Sequence, residues 1–148
     1  MRLLVQRASQ ASVTVDGRVV ASMGPGLVVL VGVGQGDGID QVEPLADKVA
    51  GLRIFRDDEG KTNLAIGDVD GEALVVSQFT LYADTSKGRR PSFIRAAEPA
   101  VAEELVEGFA RALEARGIRV GRGVFGAEME VELVNDGPFT MWIEAGSG

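Results

Sequence analysis

The sequence predicts an α/β domain with two helices layered on a β-sheet. Three observations carry this. Two stretches space apolar residues as one helix face would, Val42, Leu45, Ala46, Val49 and Leu52, then Val101, Leu105, Phe109 and Ala112. Apolar runs bounded by glycine and turn residues alternate with them, as strands do. The order is strands, helix, strand, helix, strands, with no repeat, linker or low-complexity tract, so residues 1–148 form a single domain.

Leu3 to Ser9 reads as the first strand. Ser12–Val15 and Arg18–Ala21 flank Asp16-Gly17, whose residues tolerate the positive φ of a two-residue hairpin turn. Leu27–Val31 is continuously apolar, which suits a strand buried on both faces. Gly32 to Gly38 is a loop by its glycines. Asp40 is expected to cap the first helix, with Glu43 completing a capping box. Ala73 to Tyr82 returns to strand. The second helix starts near Glu98-Pro99, pairs Glu107 with Arg111 across one turn and ends at Gly117 as C′. Glu128, Glu130 and Glu132 alternate with Met129, Val131 and Leu133, giving a strand with one wet and one dry face. Met141-Trp142-Ile143 closes it.

Composition restricts the chemistry more than it names it. There is no His and no Cys, which removes the usual proton shuttle, thiolate and commonest metal ligands. Chemistry must come from hydroxyls, amides, carboxylates, backbone N–H groups or the substrate. No apolar run nears the roughly 20 residues of a membrane span, and the first residues are not expected to act as a signal peptide. Absence of cysteine is compatible with the cytoplasm. Net charge is −7, against nucleic-acid binding by the surface as a whole. The cations are twelve Arg and three Lys, and they cluster: Lys87, Arg89, Arg90 and Arg95, then Arg111, Arg116, Arg119 and Arg122. Each cluster is open to two readings, a phosphate site or ordinary surface ion pairing.

Three motif matches fail their context. Gly121-Arg122-Gly123-Val124-Phe125-Gly126 follows a helix and leads into a strand, the reverse of dinucleotide-binding order. Gly60-Lys61-Thr62 lacks the first P-loop glycine, because Phe55 stands there. Gly32 to Asp37 lacks a third glycine and reads as a turn.

Two segments put polar groups into apolar surroundings. In Val75–Leu81, strand alternation would place Ser77, Phe79 and Leu81 on one face and Gln78 and Thr80 on the other. Buried Ser and Gln at a strand end need partners, and free N–H groups there could hold an oxyanion. Simple β-propensity is the competing reading. Asn135-Asp136-Gly137-Pro138 has turn composition, and Pro138 removes a ladder donor.

Together, Ser77-Gln78-Phe79-Thr80-Leu81 and Asn135-Asp136-Gly137-Pro138-Phe139-Thr140 resemble the two signature motifs of the D-aminoacyl-tRNA deacylases of bacterial and eukaryotic type. Val5-Gln6-Arg7-Ala8, the Gly-rich stretch Val31 to Gly38 and Gly88-Arg89-Arg90-Pro91-Ser92-Phe93 agree in order and spacing, so the resemblance covers essentially the whole chain. The family pattern has Val or another small apolar residue where this chain has Phe139.

The resemblance implies three layers, two of sheet and one of helix, and a homodimer using neither metal nor organic cofactor. It implies hydrolysis of the ester joining a D-amino acid, or glycine, to tRNA. It implies a pocket shared across the dimer, with Ser77, Gln78, Phe79 and Thr80 facing Gly137 and Pro138 of the partner subunit. That Gly-Pro bond is cis in the family, and Arg7 would fix its orientation. L-Amino acids would be excluded sterically. The attacking group is expected to be water helped by the ribose 2′-hydroxyl, because no His can activate Thr80. Ser77 and Gln78 would position substrate, Phe79 would pack on adenine or in the core, and Lys87, Arg89 and Arg90 would meet tRNA phosphates. No membrane partner is expected. The competing readings are a non-catalytic small-ligand module and a simple esterase using Thr80.

Overall fold

The structure is a computed structural model that describes residues 1–145. Its strands are β1 (Arg2–Val15), β2 (Arg18–Met23), β3 (Gly26–Gly32), β4 (Phe55–Arg56), β5 (Thr62–Leu64), β6 (Glu72–Ser77), β7 (Arg119–Arg122) and β8 (Glu130–Glu144). The two α-helices are α1 (Val42–Gly51) and α2 (Pro99–Glu114).

The six-stranded sheet runs β2-β1-β3-β6-β7, with β8 on the other side of β1. The β3–β6 and β6–β7 pairings are parallel, and the others in this sheet are antiparallel. β1 is long enough to serve two layers. Its first half pairs with β3 and its second half with β2, while β8 follows it almost throughout.

Strand alternation then builds two cores. Leu3, Val5, Leu27, Val29, Val31, Ala73 and Val75 face the helices and pack with Leu45, Val49, Leu105 and Phe109. Val28, Leu74 and Val76 point the other way and pack with Ala11, Val13, Met23 and the flank of Leu133. The outer halves of β1 and β8, with β2, therefore form a second sheet layer opposite the helices. This is the expected arrangement of two sheet layers and one helix layer.

Several expected elements stand as read. Asp16 and Gly17 have φ +50 and +76, and they join β1 to β2. Pro99 opens α2 at its first turn, and Arg111 lies 3.3 Å from Glu107. Gly117 has φ +83, with hydrogen bonds from Gly117 N to Glu114 O and Ile118 N to Leu113 O, the bonding of a C′ glycine.

Other details differ. The first two expected strands are one, because β8 pairs across Ala8 to Ala11 and holds them extended. Asp40 caps nothing. A 3-10 turn, Ile39–Gln41, precedes α1, and Gln41 stands at the cap without a side-chain bond. Val101 is 44% exposed and Ala102 takes its place in the α2 stripe. Val131 is also partly exposed rather than dry. The strand expected to reach Tyr82 ends at Ser77. Among the described residues, no helix is long and apolar enough to cross a membrane.

Candidate active site

The carboxyl ends of the parallel strands open onto a cleft of about 540 Å³, lined by Val33, Val76 to Phe79, the first turn of α2 and Phe125 to Ala127. Ligands of sheets containing parallel strands collect at such ends. Val31 and Ser77 are the last paired residues between β3 and β6, and β7 stops two residues earlier, at the Val75–Arg122 pair. Gln78 N–H makes a final bond to Val31 O at 2.8 Å, and beyond it the chain has no ladder neighbour.

It winds instead into a 3-10 turn, Phe79–Tyr82, held by Leu81 N to Gln78 O at 3.2 Å and Ala83 N to Thr80 O at 3.0 Å. The N–H groups of Phe79 and Thr80 precede the first of these bonds and have no hydrogen-bond partner among the described residues. Two adjacent unpaired donors beside an apolar cleft suit a developing oxyanion.

The side chains around them are ordered. Gln78 Nε2 donates to Thr80 Oγ1. That hydroxyl oxygen accepts a bond from an amide, and among the described residues no base accepts its proton. Phe79 is 54% exposed and meets Phe93 edge to face, with centroids 5.0 Å apart. Arg2 Nη1 donates to Leu81 O at 2.8 Å, and its guanidinium lies 4.3 Å over the Tyr82 ring. Tyr82 donates its hydroxyl to Asp37 Oδ2 at 3.1 Å, and Gly34 N–H donates to the same oxygen at 2.6 Å. Burial and the Asp37 charge push the Tyr82 phenol well up, so it stays a donor. Any side chain at Gly34 would strike the Tyr82 ring, since a Cβ there would stand 2.4 Å from it. The 3-10 turn is thus seated on the glycine loop that follows β3.

The second motif forms a bulge within β8. Gln6 pairs with Thr140 and Ala8 with Asn135, so Arg7 alone opposes residues 136–139. Asn135 Nδ2 closes the neck by donating to Arg7 O and Phe139 O, each at 2.9 Å. Arg7 is 3% exposed. Its guanidinium donates to Asp136 O at 3.2 Å and Ile54 O at 2.5 Å, and lies 4.8 Å from the Phe139 ring centre. Arg56 donates to both Asp136 carboxylate oxygens, at 2.9 and 3.1 Å. These bonds, with the charges of Arg56 and Arg7, hold the Asp136 carboxyl below the usual carboxylate range. Gly137 and Pro138, joined by a cis peptide bond, form the exposed crest. Gly137 has φ +134, and a Cβ there would lie 3.0 Å from Arg7 Nη2.

Within one chain the two groups have different anchors on β1. The 3-10 turn hangs from Arg2 and the bulge from Arg7, and five residues of extended β1 span about 17 Å. Among the described residues, no group of three or more His, Cys, Asp or Glu is placed to hold a metal ion.

The model of the D-Tyr-tRNA(Tyr) deacylase family matches residues 4–144. The chain belongs to that family. As a deacylase it is a hydrolase. It is 59% identical to a D-aminoacyl-tRNA deacylase of Roseiflexus castenholzii, over 98% of this chain and 92% of the relative. It is 60% identical to one of Thermomicrobium roseum, over 98% and 94%. Among solved structures, a c-Myc DNA Unwinding Element Binding Protein is 37% identical, with a TM-score of 0.91 over 98% of this chain and 99% of that one.

In this deacylase, Ser77, Gln78 and Phe79 line the cleft and Thr80 follows them outside its lining, as a strand end and a turn, so the expected two-face alternation fails after Ser77. Arg7, Gly137 and Pro138 form the second group. Lys87, Arg89 and Arg90 are exposed and carry no ion pair among the described residues, on a loop closed by the Asp84–Ser92 bridge. The other arginine group takes the ion-pair reading: Arg116 lies 2.9 Å from Glu43, Arg119 3.8 Å from Glu72 and Arg122 2.7 Å from Glu114. Sequence reasoning missed Arg2, Arg56, Asp37 and Tyr82 as supports of the two motifs. Their partners lie far away in sequence, and nothing local marks them.

Proposed function

We propose that the protein hydrolyses the ester linking a D-amino acid to the terminal ribose of tRNA, releasing free tRNA and amino acid. Family membership supports this. The observation that carries the mechanism is the pair of free N–H groups at Phe79 and Thr80, in a chain with neither His nor Cys.

Water attacks the ester carbonyl, the neighbouring ribose 2′-hydroxyl assists the proton transfer, and the tetrahedral oxyanion sits against the two N–H groups. Ser77 and Gln78 orient the substrate, and Phe79 packs on the adenine. The enzyme works as a homodimer. Gly137 and Pro138 of one subunit stand against the α-carbon of substrate held by the other. Their backbone leaves room for hydrogen but not for an L side chain, so D-amino acids of many kinds enter and glycine passes as well. The different anchors of the two motifs on β1 support a shared site. We place the enzyme in the cytoplasm, where charged tRNA is used.

With a chelator present, D-tyrosyl-tRNA is expected to be deacylated far faster than L-tyrosyl-tRNA. Equal rates for the two enantiomers, measured side by side, would remove this reading.

Lys87, Arg89 and Arg90 are the proposed tRNA phosphate contacts on an otherwise acidic protein. Replacing Arg89 and Arg90 together by Ala is expected to weaken binding and lower the slope of log affinity against log salt by about one unit per lost contact. A slope equal to the parent's would put the tRNA on another face.

A further inference from the structure

We propose that Arg56 is a positioning residue for the Gly137–Pro138 crest, acting through Asp136, and that it sharpens discrimination between enantiomers. This rests on the reading of that crest as the wall against L side chains.

Asp136 immediately precedes Gly137 and is gripped from two sides. Arg7 donates to its backbone oxygen, and Arg56 donates to both carboxylate oxygens. The grips share one base. Ile54 O accepts from Arg7, Phe55 is buried in the core, and Arg56 follows it on β4. The path from Arg7 to Asp136, Arg56 and back through Ile54 is therefore closed. On the far side of Pro138, the Phe139 ring lies against the Arg7 guanidinium. Both flanks of the crest are held, and Arg56 is the only member of the assembly contributed by β4 through a side chain.

Stability alone gives Arg56 little purpose. It is about half exposed and Asp136 a third exposed, and ion pairs in that setting contribute little. Two parallel N–H bonds to a carboxylate do fix orientation, however, and Lys cannot reproduce them. The pair thus limits how far the residue before Gly137 can rotate.

The test uses the full-length protein, with Arg56→Ala and Arg56→Lys compared to the parent. The first readout is the ratio of kcat/KM on D- and L-tyrosyl-tRNA. It is expected to fall about fivefold in Arg56→Ala, the equivalent of ~1 kcal/mol, and by less in Arg56→Lys. The thermal midpoint should move by about 2 °C or less. The second readout is amide hydrogen exchange at Gly137 and Phe139, which should quicken in Arg56→Ala. A selective parent whose Arg56→Ala variant keeps that ratio within about twofold would overturn the proposal. A parent with no preference between enantiomers would instead overturn the reading of the crest, and the exchange rates would still decide whether Arg56 positions it. Unchanged exchange would overturn the positioning role outright.

Discussion

A tRNA ending in 2′-deoxyadenosine is expected to be deacylated about a thousandfold more slowly than the natural substrate, the scale of a lost proton-transfer partner. The expectation follows from what surrounds the reacting carbon. No His exists in the chain, and Thr80 Oγ1 accepts a hydrogen bond from the Gln78 amide. An amide N–H cannot take a proton, so nothing here turns Thr80 into an alkoxide. The substrate's own hydroxyl is then the group placed to help water attack. The companion variant is Thr80→Val, which removes the hydroxyl, keeps the shape and leaves the Thr80 N–H in place. It should retain deacylation within about a hundredfold of the parent, the scale of one transition-state hydrogen bond. Single-turnover rates on both substrates decide the matter. A trapped acyl-threonine, a dead Thr80→Val enzyme or full activity on the deoxy substrate would each return the nucleophile's role to the protein.

Mixing two inactive chains should restore activity. In the proposed dimer, Gln78→Ala would damage the cleft side of the shared site. Gly137→Ala damages the crest, because the added Cβ would meet Arg7 Nη2 at 3.0 Å on a backbone with φ +134. Each homodimer has two spoiled sites. A heterodimer has one doubly spoiled site and one intact site. With equal amounts and free subunit exchange, half the dimers are mixed, so about one quarter of parental activity should return. Subunit exchange would be confirmed by mass spectrometry. No recovery despite confirmed exchange would show that the two motifs do not serve one site.

Much of the fold was legible because it depends on local rules. Asp16-Gly17 sits between alternating segments and can turn only one way at low cost. Leu27 to Val31 is apolar at every position, which demands cover on both faces. The stripes of α1 and α2 follow helical spacing, and Pro99 and Gly117 mark the ends of α2. The errors came where neighbours outvoted propensity. Phe79 to Tyr82 has strand composition, but β3 and β7 both stop short of it, and a strand without a partner is not held extended. Gln10 and Ala11 looked like an interruption, yet pairing with Val134 and Leu133 of β8 keeps them extended. Asn135 to Pro138 has turn composition but became a bulge, since β8 resumes its pairing with β1 at Thr140.

The candidate site divides the same way. The residues proposed to meet the reaction could be named from the sequence, because two short motifs mark them and the lack of His and Cys narrows what they can do. The family and the two helices on sheet followed from the same reading. The tertiary structure alone decided that Ser77 ends a strand, that two N–H groups remain unpaired after it, and that Arg2, Tyr82 and Asp37 seat one motif while Arg7 and Arg56 seat the other. It also hung the two motifs from different points of β1, Arg2 and Arg7, whose backbones are about 17 Å apart on an extended strand. The reason is physical. Propensity and periodicity act between residues a few positions apart. Where a ladder runs out, and which distant arginine reaches a given carbonyl, depends on strands joined from opposite ends of the chain.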